Sequence, residues 1–127
     1  MMAIGEVARQ AALRPSAIRY YERLGLLPAP ARQGGRRRYT DEVLFQLRVI
    51  GFARTCGFSL REIRELFAGR PYSTRMRRLA RGKIAELDGA IARARSMQAL
   101  LTSALRCRCS TLAECGRRLR KVDRTLE

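Results

Sequence analysis

A long stretch without proline, from Ser73 to Leu105, restricts the fold more than any other feature of this sequence. Its apolar residues recur at alternating steps of four and three, which is the heptad spacing of a coiled coil. They are Ala80, Ile84, Leu87, Ile91, Ala94, Leu101 and Leu105, with Gln98 at the remaining heptad position. A helix of this length spans about 50 Å, and the chain before it is too short to cover it. The spacing therefore predicts a dimerisation helix over residues 73–105 that pairs with a second copy, the alternative being a helix that lies on the core of its own chain.

Two short helices are predicted near the amino terminus. The first covers residues 4–12, where apolar residues share one face. Pro15 suits the first position of a second helix that continues to Arg23, and Gly25 suits the left-handed residue that ends it. Two short helices joined by a tight turn, the second rich in arginine and tyrosine, are typical of a helix-turn-helix.

Residues 28–40 are predicted to form a small wing instead of a helix, because they contain two prolines and the pair Gly34-Gly35. The glycine pair suits a tight hairpin turn, with residues 36–39 as the second strand.

Two further helices are predicted before the dimerisation helix. Thr40 is the N-cap of one, whose buried side is predicted to consist of Val43, Leu44, Leu47, Ile50 and Phe52. Ser59 and Glu62 have the spacing of a capping box that begins another helix at residue 60. Apart from the small wing, the chain is therefore predicted to have an all-α fold.

The chain carries 27 Lys and Arg against 11 Asp and Glu, a net charge of +16. So large an excess favours a polyanionic partner, with nucleic acid first and an anionic membrane surface second. The sequence has no run long enough to span a bilayer and no signal-peptide pattern, so we expect a cytoplasmic protein. It also has no histidine, no paired carboxylates in a pocket-forming context and no phosphate-cradling loop, so we expect no enzymatic activity.

The residues best suited to contact DNA lie on the second predicted helix and in the wing. On the helix, Ser16 and Arg19 are one turn apart and share a face, and tyrosine hydroxyls can bond phosphates. In the wing, three consecutive arginines form a dense cationic cluster at a hairpin. The candidate contacts are Ser16, Arg19, Tyr20, Tyr21, Arg36, Arg37, Arg38 and Tyr39.

Three of the four cysteines follow the predicted dimerisation helix, as Cys107, Cys109 and Cys115. In a reducing compartment thiols stay free, so the cluster indicates metal or redox chemistry. Thiolates prefer soft ions such as Cu(I), Ag(I), Au(I), Hg(II), Cd(II), Pb(II) and Zn(II). Cys107 and Cys109 would lie on opposite sides of an ideal helix, so a non-helical segment is predicted here. Arginines at positions 106, 108, 117 and 118 are expected to lower the thiol pKa values.

Three motifs, IGEVARQAALRPSAIRYYERLGLL, GGRRRYTDEV and ARTCGFSLREIREL, resemble the MerR family of bacterial transcription regulators over roughly residues 3–105. The resemblance implies a winged helix-turn-helix followed by a long antiparallel coiled-coil dimer helix. It implies a homodimer that bends and untwists promoter DNA when its effector binds, so that RNA polymerase can use the promoter. It also makes Arg54 a DNA-backbone contact. The expected organisation is a DNA-binding domain over 1–70, the dimerisation helix over 73–105, an effector-binding cysteine loop over 106–116 and a basic tail over 117–127.

The resemblance leaves several effectors open. The spacing of Cys107 and Cys115 is similar to the two-thiolate loop of copper-responsive members, and Ser73 stands where divalent-ion members have a further cysteine. Both features favour linear Cu(I), Ag(I) or Au(I), whereas Hg(II), Cd(II), Pb(II) or Zn(II) would also use Cys109.

Other readings of the cysteines remain. The spacing is also similar to the iron–sulfur branch, but that branch has a fourth cysteine where this chain has Ala104. Thiol oxidation as a redox switch, and an effector-independent DNA-binding protein, are the remaining alternatives.

Overall fold

The computed structural model describes residues 1–69 and 71–119, and the boundary between two compact units falls between Ile84 and Ala85. The described residues form six helices and one hairpin. In chain order these are α1 (Ile4–Ala11), α2 (Pro15–Arg23), β1 (Ala31–Gln33), β2 (Arg36–Arg38), α3 (Asp41–Thr55), α4 (Leu60–Phe67), α5 (Tyr72–Arg106) and α6 (Leu112–Arg118). The mainly helical fold with a small wing and a long helix is as the sequence predicts.

Local signals set the ends of α1 and α2. Pro15 occupies the first turn of α2, where its missing N–H costs no helical hydrogen bond. Gly25 follows α2 with a φ of 76°, a left-handed conformation that glycine adopts without strain. The tight turn between the helices places Ala12 in the left-handed region as well, with a φ of 56°.

The wing is a two-stranded antiparallel hairpin. Gly34 and Gly35 both have positive φ, 59° and 79°, as a two-residue hairpin turn of this type requires. The register pairs Ala31 with Arg38, Arg32 with Arg37 and Gln33 with Arg36. Just after β2, Tyr39 exchanges two backbone hydrogen bonds with Met2, which fixes the end of the wing to the amino terminus.

The core of the first unit is formed mainly by α3, α4 and the segments around α2. Thr40 caps α3 as predicted, and Ser59 and Glu62 form the predicted capping box of α4. Four of the five residues predicted to be buried on α3 are buried, but Phe52 is 60% exposed. Phe52 lies about 200° around the helix from Ile50, so the two cannot share a face. It lies instead on a second apolar stripe, with Phe45 and Val49.

The long helix α5 begins one residue before and ends one residue after the predicted dimerisation helix. Its predicted heptad residues are exposed along most of its length; Leu101, for example, is 67% exposed and Leu105 is 86% exposed. Within residues 1–69 and 71–119, no helix combines the length and the apolar composition needed to cross a bilayer.

The short helix α6 is an element that the sequence patterns did not predict. Thr111 caps it by accepting a hydrogen bond from the backbone N–H of Glu114. The chain between α5 and α6 is non-helical over residues 107–110, as predicted. Of the predicted basic tail, residues 120–127 lie outside the described residues.

An ion pair with a buried ammonium attaches the fourth turn of α5 to α4. The ammonium of Lys83 lies 3.1 Å from Oε1 of Glu62, and 5.5 Å from the centre of the Phe58 ring. The same carboxylate accepts the backbone N–H of Ser59 at 2.9 Å. These bonds lower the pKa of Glu62, the backbone N–H of Ser59 contributing most and Lys83 adding to it.

Glu62 is therefore expected to give the first unit a pH-dependent stability. Because its pKa is lower in the folded protein than its ordinary value of 4.5, the stabilisation is present above pH 4.5 and is lost as the pH falls through the folded-state pKa. Urea unfolding should show that Glu62→Gln lowers the free energy of unfolding at pH 7, and that this difference shrinks below pH 4.5. A difference that stays constant down to acid pH would contradict the expectation.

Candidate nucleic-acid interface and metal centre

Four arginines surround one cleft in the first unit. Arg19 on α2 and the three arginines of β2 line it, together with Ala3 and Ile4 at the start of α1. The cleft has a volume of about 310 Å³. Guanidinium groups form paired hydrogen bonds with phosphate oxygens, so the chemistry of this cleft suits the backbone of a nucleic acid.

The helix α2 presents polar side chains outward and anchors itself with an apolar one. Ser16 and Arg19 are exposed and Ile18 is fully buried, as the predicted recognition face requires. Tyr20 is 44% exposed, and the guanidinium of Arg23 lies 5.9 Å from its ring centre. Tyr21 is half-buried and packs against the core. Tyr20 is therefore the better placed of the two tyrosines to reach a ligand.

The structure corrects the expectation that Tyr39 contacts phosphate. Its side chain is 1% exposed, and its hydroxyl donates a hydrogen bond to Oε1 of Glu22. Burial, and then the hydrogen bond to Glu22, raise the pKa of the Tyr39 hydroxyl far above its ordinary value, so it stays a donor. Because β2 is followed by a residue that faces the core, this tyrosine supports the wing and does not reach a ligand.

The wing arginines differ in their surroundings. Arg36 is exposed, whereas Arg37 and Arg38 are half-buried. Nε of Arg37 lies 3.9 Å from Oε2 of Glu22, an ion pair too long for a hydrogen bond. Nε of both Arg37 and Arg38 is enclosed without a hydrogen-bond partner among the described residues. Arg36 is thus the wing arginine most free to meet a phosphate.

Two further arginines of the first unit bond backbone oxygens just beyond the ends of helices. Arg54 is exposed, and its guanidinium donates to the backbone oxygen of Phe58 at 3.3 Å, beyond the end of α3. Arg64 on α4 donates to the backbone oxygen of Leu24 at the end of α2. Sequence reasoning missed Arg64 and Glu22. The sequence could have pointed to Glu22, because it is an acidic residue within a basic helix. No sequence pattern could have pointed to Arg64, because its partner is a backbone atom 40 residues away.

The thiols lie in the second unit, where α5 ends. Cys107 and Cys109 are in the non-helical segment, and Cys115 is on α6. All three, and Cys56 at the end of α3, are free and partly exposed. Hydrogen bonding from the side chain and the backbone N–H of Cys109 lowers the pKa of the Cys107 thiol. Two of the three predicted ligands are therefore close enough to affect each other's pKa.

The thiol pair has unequal pKa values. The two hydrogen bonds from Cys109 lower the pKa of Cys107, and the positive charge of Arg118 lowers it further. The side-chain hydrogen bond raises the pKa of Cys109, and this outweighs the same charge. Of the four arginines predicted to lower the thiol pKa values, Arg118 does so at both cysteines, but at Cys109 the hydrogen bond with Cys107 and burial outweigh it.

Cys115 lies near enough to Cys109 to affect its pKa electrostatically. Among residues 1–69 and 71–119, however, no group of three or more cysteine or acidic side chains is arranged to hold a metal ion. A pair of thiols suits a soft ion by its chemistry, so the donor set fits such a ligand.

Comparison with known protein families shows which family the chain belongs to. The family described as MerR HTH family regulatory protein matches residues 2–70, which is more than half of the chain. The chain belongs to the MerR family. A second family description, MerR, DNA binding, matches residues 44–104, which include most of α5. MerR-family proteins are DNA-binding regulators of transcription, and this member is a regulator and not an enzyme.

Individual MerR-family proteins are similar over most of their length. The transcriptional regulator ZntR of Escherichia coli K12 is 38% identical over 104 residues, which cover 77% of this chain and 74% of ZntR. The regulator CueR of Salmonella typhi is 35% identical over 120 residues, covering 90% and 87%. The structure of PbrR691 from Ralstonia metallidurans CH34, in complex with lead(II), has a TM-score of 0.71 at 32% identity and covers 91% of this chain and 95% of PbrR691.

Replacing Arg36 tests whether the cleft contacts DNA phosphates. A suitable probe is the duplex that the wild-type protein selects from a random-sequence DNA pool. Because each phosphate contact releases bound cations, Arg36→Ala should weaken binding and reduce the slope of log affinity against log salt concentration by about 1. Arg93→Ala, which removes the same charge from an outer heptad position of α5, is the matched control. An unchanged slope in Arg36→Ala would rule out the phosphate contact.

Proposed function

We propose that this MerR-family protein is a dimeric, metal-responsive transcription regulator that distorts promoter DNA when its cysteines bind a soft metal ion. The observation that carries the proposal is the position of Cys107, Cys109 and Cys115, all free and partly exposed, in the short segment that follows the helix α5. A chain with an arginine-lined cleft in its first unit and a thiol pair in its second has one site for DNA and one for an effector.

The exposed stripe of α5 supports the dimer. Ile84, Leu87 and Ile91 are 59%, 48% and 50% exposed, and the heptad continues through Leu101 and Leu105. Exposed apolar residues at heptad spacing pack into a partner helix in coiled coils. These exposures favour a partner helix over the alternative in which α5 lies on the core of its own chain, and we propose residues 73–105 as the homodimer interface.

The donor set supports a soft, thiophilic ion as the effector. Cu(I), Ag(I) and Au(I) are the first candidates, because two sulfurs complete their linear coordination and position 73 is serine. Cys107 and Cys115 are the proposed pair by resemblance to copper-responsive regulators. Hg(II), Cd(II), Pb(II) and Zn(II) are the alternatives that would use all three thiols, and the lead(II) complex of PbrR691 supports this group.

The DNA contacts are proposed from the cleft and its surroundings. Arg19, Arg36, Arg37 and Arg38 would meet phosphates, and Ser16 and Tyr20 would lie on the same side of α2. Tyr21 and Arg54 are proposed as secondary contacts. The bending and untwisting of the promoter, and its use by RNA polymerase, follow from the family resemblance.

Cysteine substitutions test the effector site. With anaerobically purified protein and Cu(I) or Hg(II) as the added ion, Cys107→Ser or Cys115→Ser should abolish metal-dependent transcription in vitro while DNA affinity stays unchanged. The physical reason is that a linear site that loses one sulfur retains a single ligand. Cys56→Ser is the matched control and should respond as the wild type does. A full response in either ligand variant would exclude that cysteine as an essential ligand.

Cys109→Ser separates the two coordination geometries. A small effect supports a linear site, and a large loss supports a trigonal one. The absorbance of the thiolate charge-transfer bands gives the stoichiometry for each ion. A brown protein that absorbs visible light as purified would instead indicate an iron–sulfur cluster.

A further inference from the structure

Glu22 is a carboxylate in a place where electrostatics alone would exclude one. It lies on α2, between the recognition face and the wing, and its side chain is 10% exposed. The cleft beside it is lined by four arginines. A negative charge this close to a bound polyanion repels it, so the carboxylate weakens DNA binding unless it serves another purpose.

The contacts of Glu22 indicate that purpose. One carboxylate oxygen accepts the hydroxyl of Tyr39, and the other lies 3.9 Å from Nε of Arg37. Tyr39 is in turn fixed to Met2 through its backbone. A single side chain of α2 therefore holds two residues of the wing, at β2 and just beyond it.

The register of the wing adds a second reason. Arg37 is directly opposite Arg32 in the hairpin, and like charges in this position destabilise a strand pair. Arg32 donates to the backbone oxygen of Gly35 at 3.2 Å, and Arg37 has Glu22 as its counter-ion. Without Glu22, the repulsion between the two arginines would favour an open or rotated wing.

We propose that Glu22 is a positioning residue for DNA recognition: by holding Tyr39 and Arg37, it fixes the angle between the wing and α2, so that Arg19 and the wing arginines meet the DNA backbone together. The inference rests on the proposed DNA binding of this chain and adds to it a residue that contacts no phosphate.

The sign of the change in affinity distinguishes positioning from simple repulsion. The probe is again the duplex that the wild-type protein selects from a random pool. Glu22→Gln removes one negative charge, and repulsion alone predicts tighter binding. Positioning predicts the opposite, about a tenfold weaker affinity, since a hydrogen bond and an ion pair to a charged group are weakened. Glu65→Gln removes the same charge from an exposed site on α4, and it should bind the duplex at least as tightly as the wild type.

Tyr39→Phe provides a charge-neutral second variant. It keeps the buried ring and removes only the hydroxyl, so it should also weaken binding. The losses in Glu22→Gln and Tyr39→Phe should not add in the double variant, because both break the same link. Thermal unfolding of each variant checks that the fold is retained. If Tyr39→Phe does not fold, Glu22→Gln, which lies at the margin of the core, still tests the inference.

Two results would overturn the inference. One is a folded Glu22→Gln protein that binds the selected duplex as tightly as Glu65→Gln does. The other is full additivity in the double variant. A wild-type protein that enriches no duplex would instead contradict the proposed DNA recognition itself, so the two failures are distinguishable.

Discussion

Mutual repulsion among the four arginines around the cleft is the constraint on which the first unit depends. Unit charges closer than the Debye length, about 8 Å at physiological salt, are only partly screened from one another. Such a cluster destabilises the folded state unless other interactions hold the arginines in place. The backbone pairing of Tyr39 with Met2, the buried tyrosine ring and the carboxylate of Glu22 provide them. The fold therefore holds four positive charges close together at the cleft, where a bound polyanion can neutralise them.

The second constraint is the unburied apolar stripe of α5. The first unit fixes the start of this helix through Lys83 and Glu62, but the helix continues beyond it with its heptad residues exposed. Exposed apolar side chains such as Ile91 and Leu101 contribute to the stability of the protein only when another surface buries them. A second copy presents the same stripe, so one helix can carry both the dimer contact and the connection to the effector site.

Local rules explain why much of the fold was predictable from the sequence. Caps and turns depend on a few neighbouring residues, so Thr40, Ser59 with Glu62, and Gly34-Gly35 were each predicted correctly. The heptad spacing likewise gave the long helix within one residue at each end.

Properties that depend on distant residues were less predictable. Phe52 was assigned to the core because it is apolar, although its angular position on α3 places it opposite Ile50. Tyr39 follows three arginines in sequence, but strand alternation and its bond to Glu22, 17 residues away, turn it inward. The non-helical segment at Cys107 and Cys109 was predicted, but the opposite shifts of their pKa values were not, because these shifts depend on how the two thiols interact.

The end of α5 links ion binding to conformation. In a continued helix, Cys107 and Cys109 would point about 200° apart, and no single ion could bind both sulfurs. In the structure α5 stops at Arg106 and the next four residues are non-helical, and the two thiols affect each other's pKa. An ion that binds all three thiols, as the divalent alternatives would, requires the non-helical arrangement and stabilises it by mass action. For such an ion, ligation and extension of the dimerisation helix would compete for the same residues.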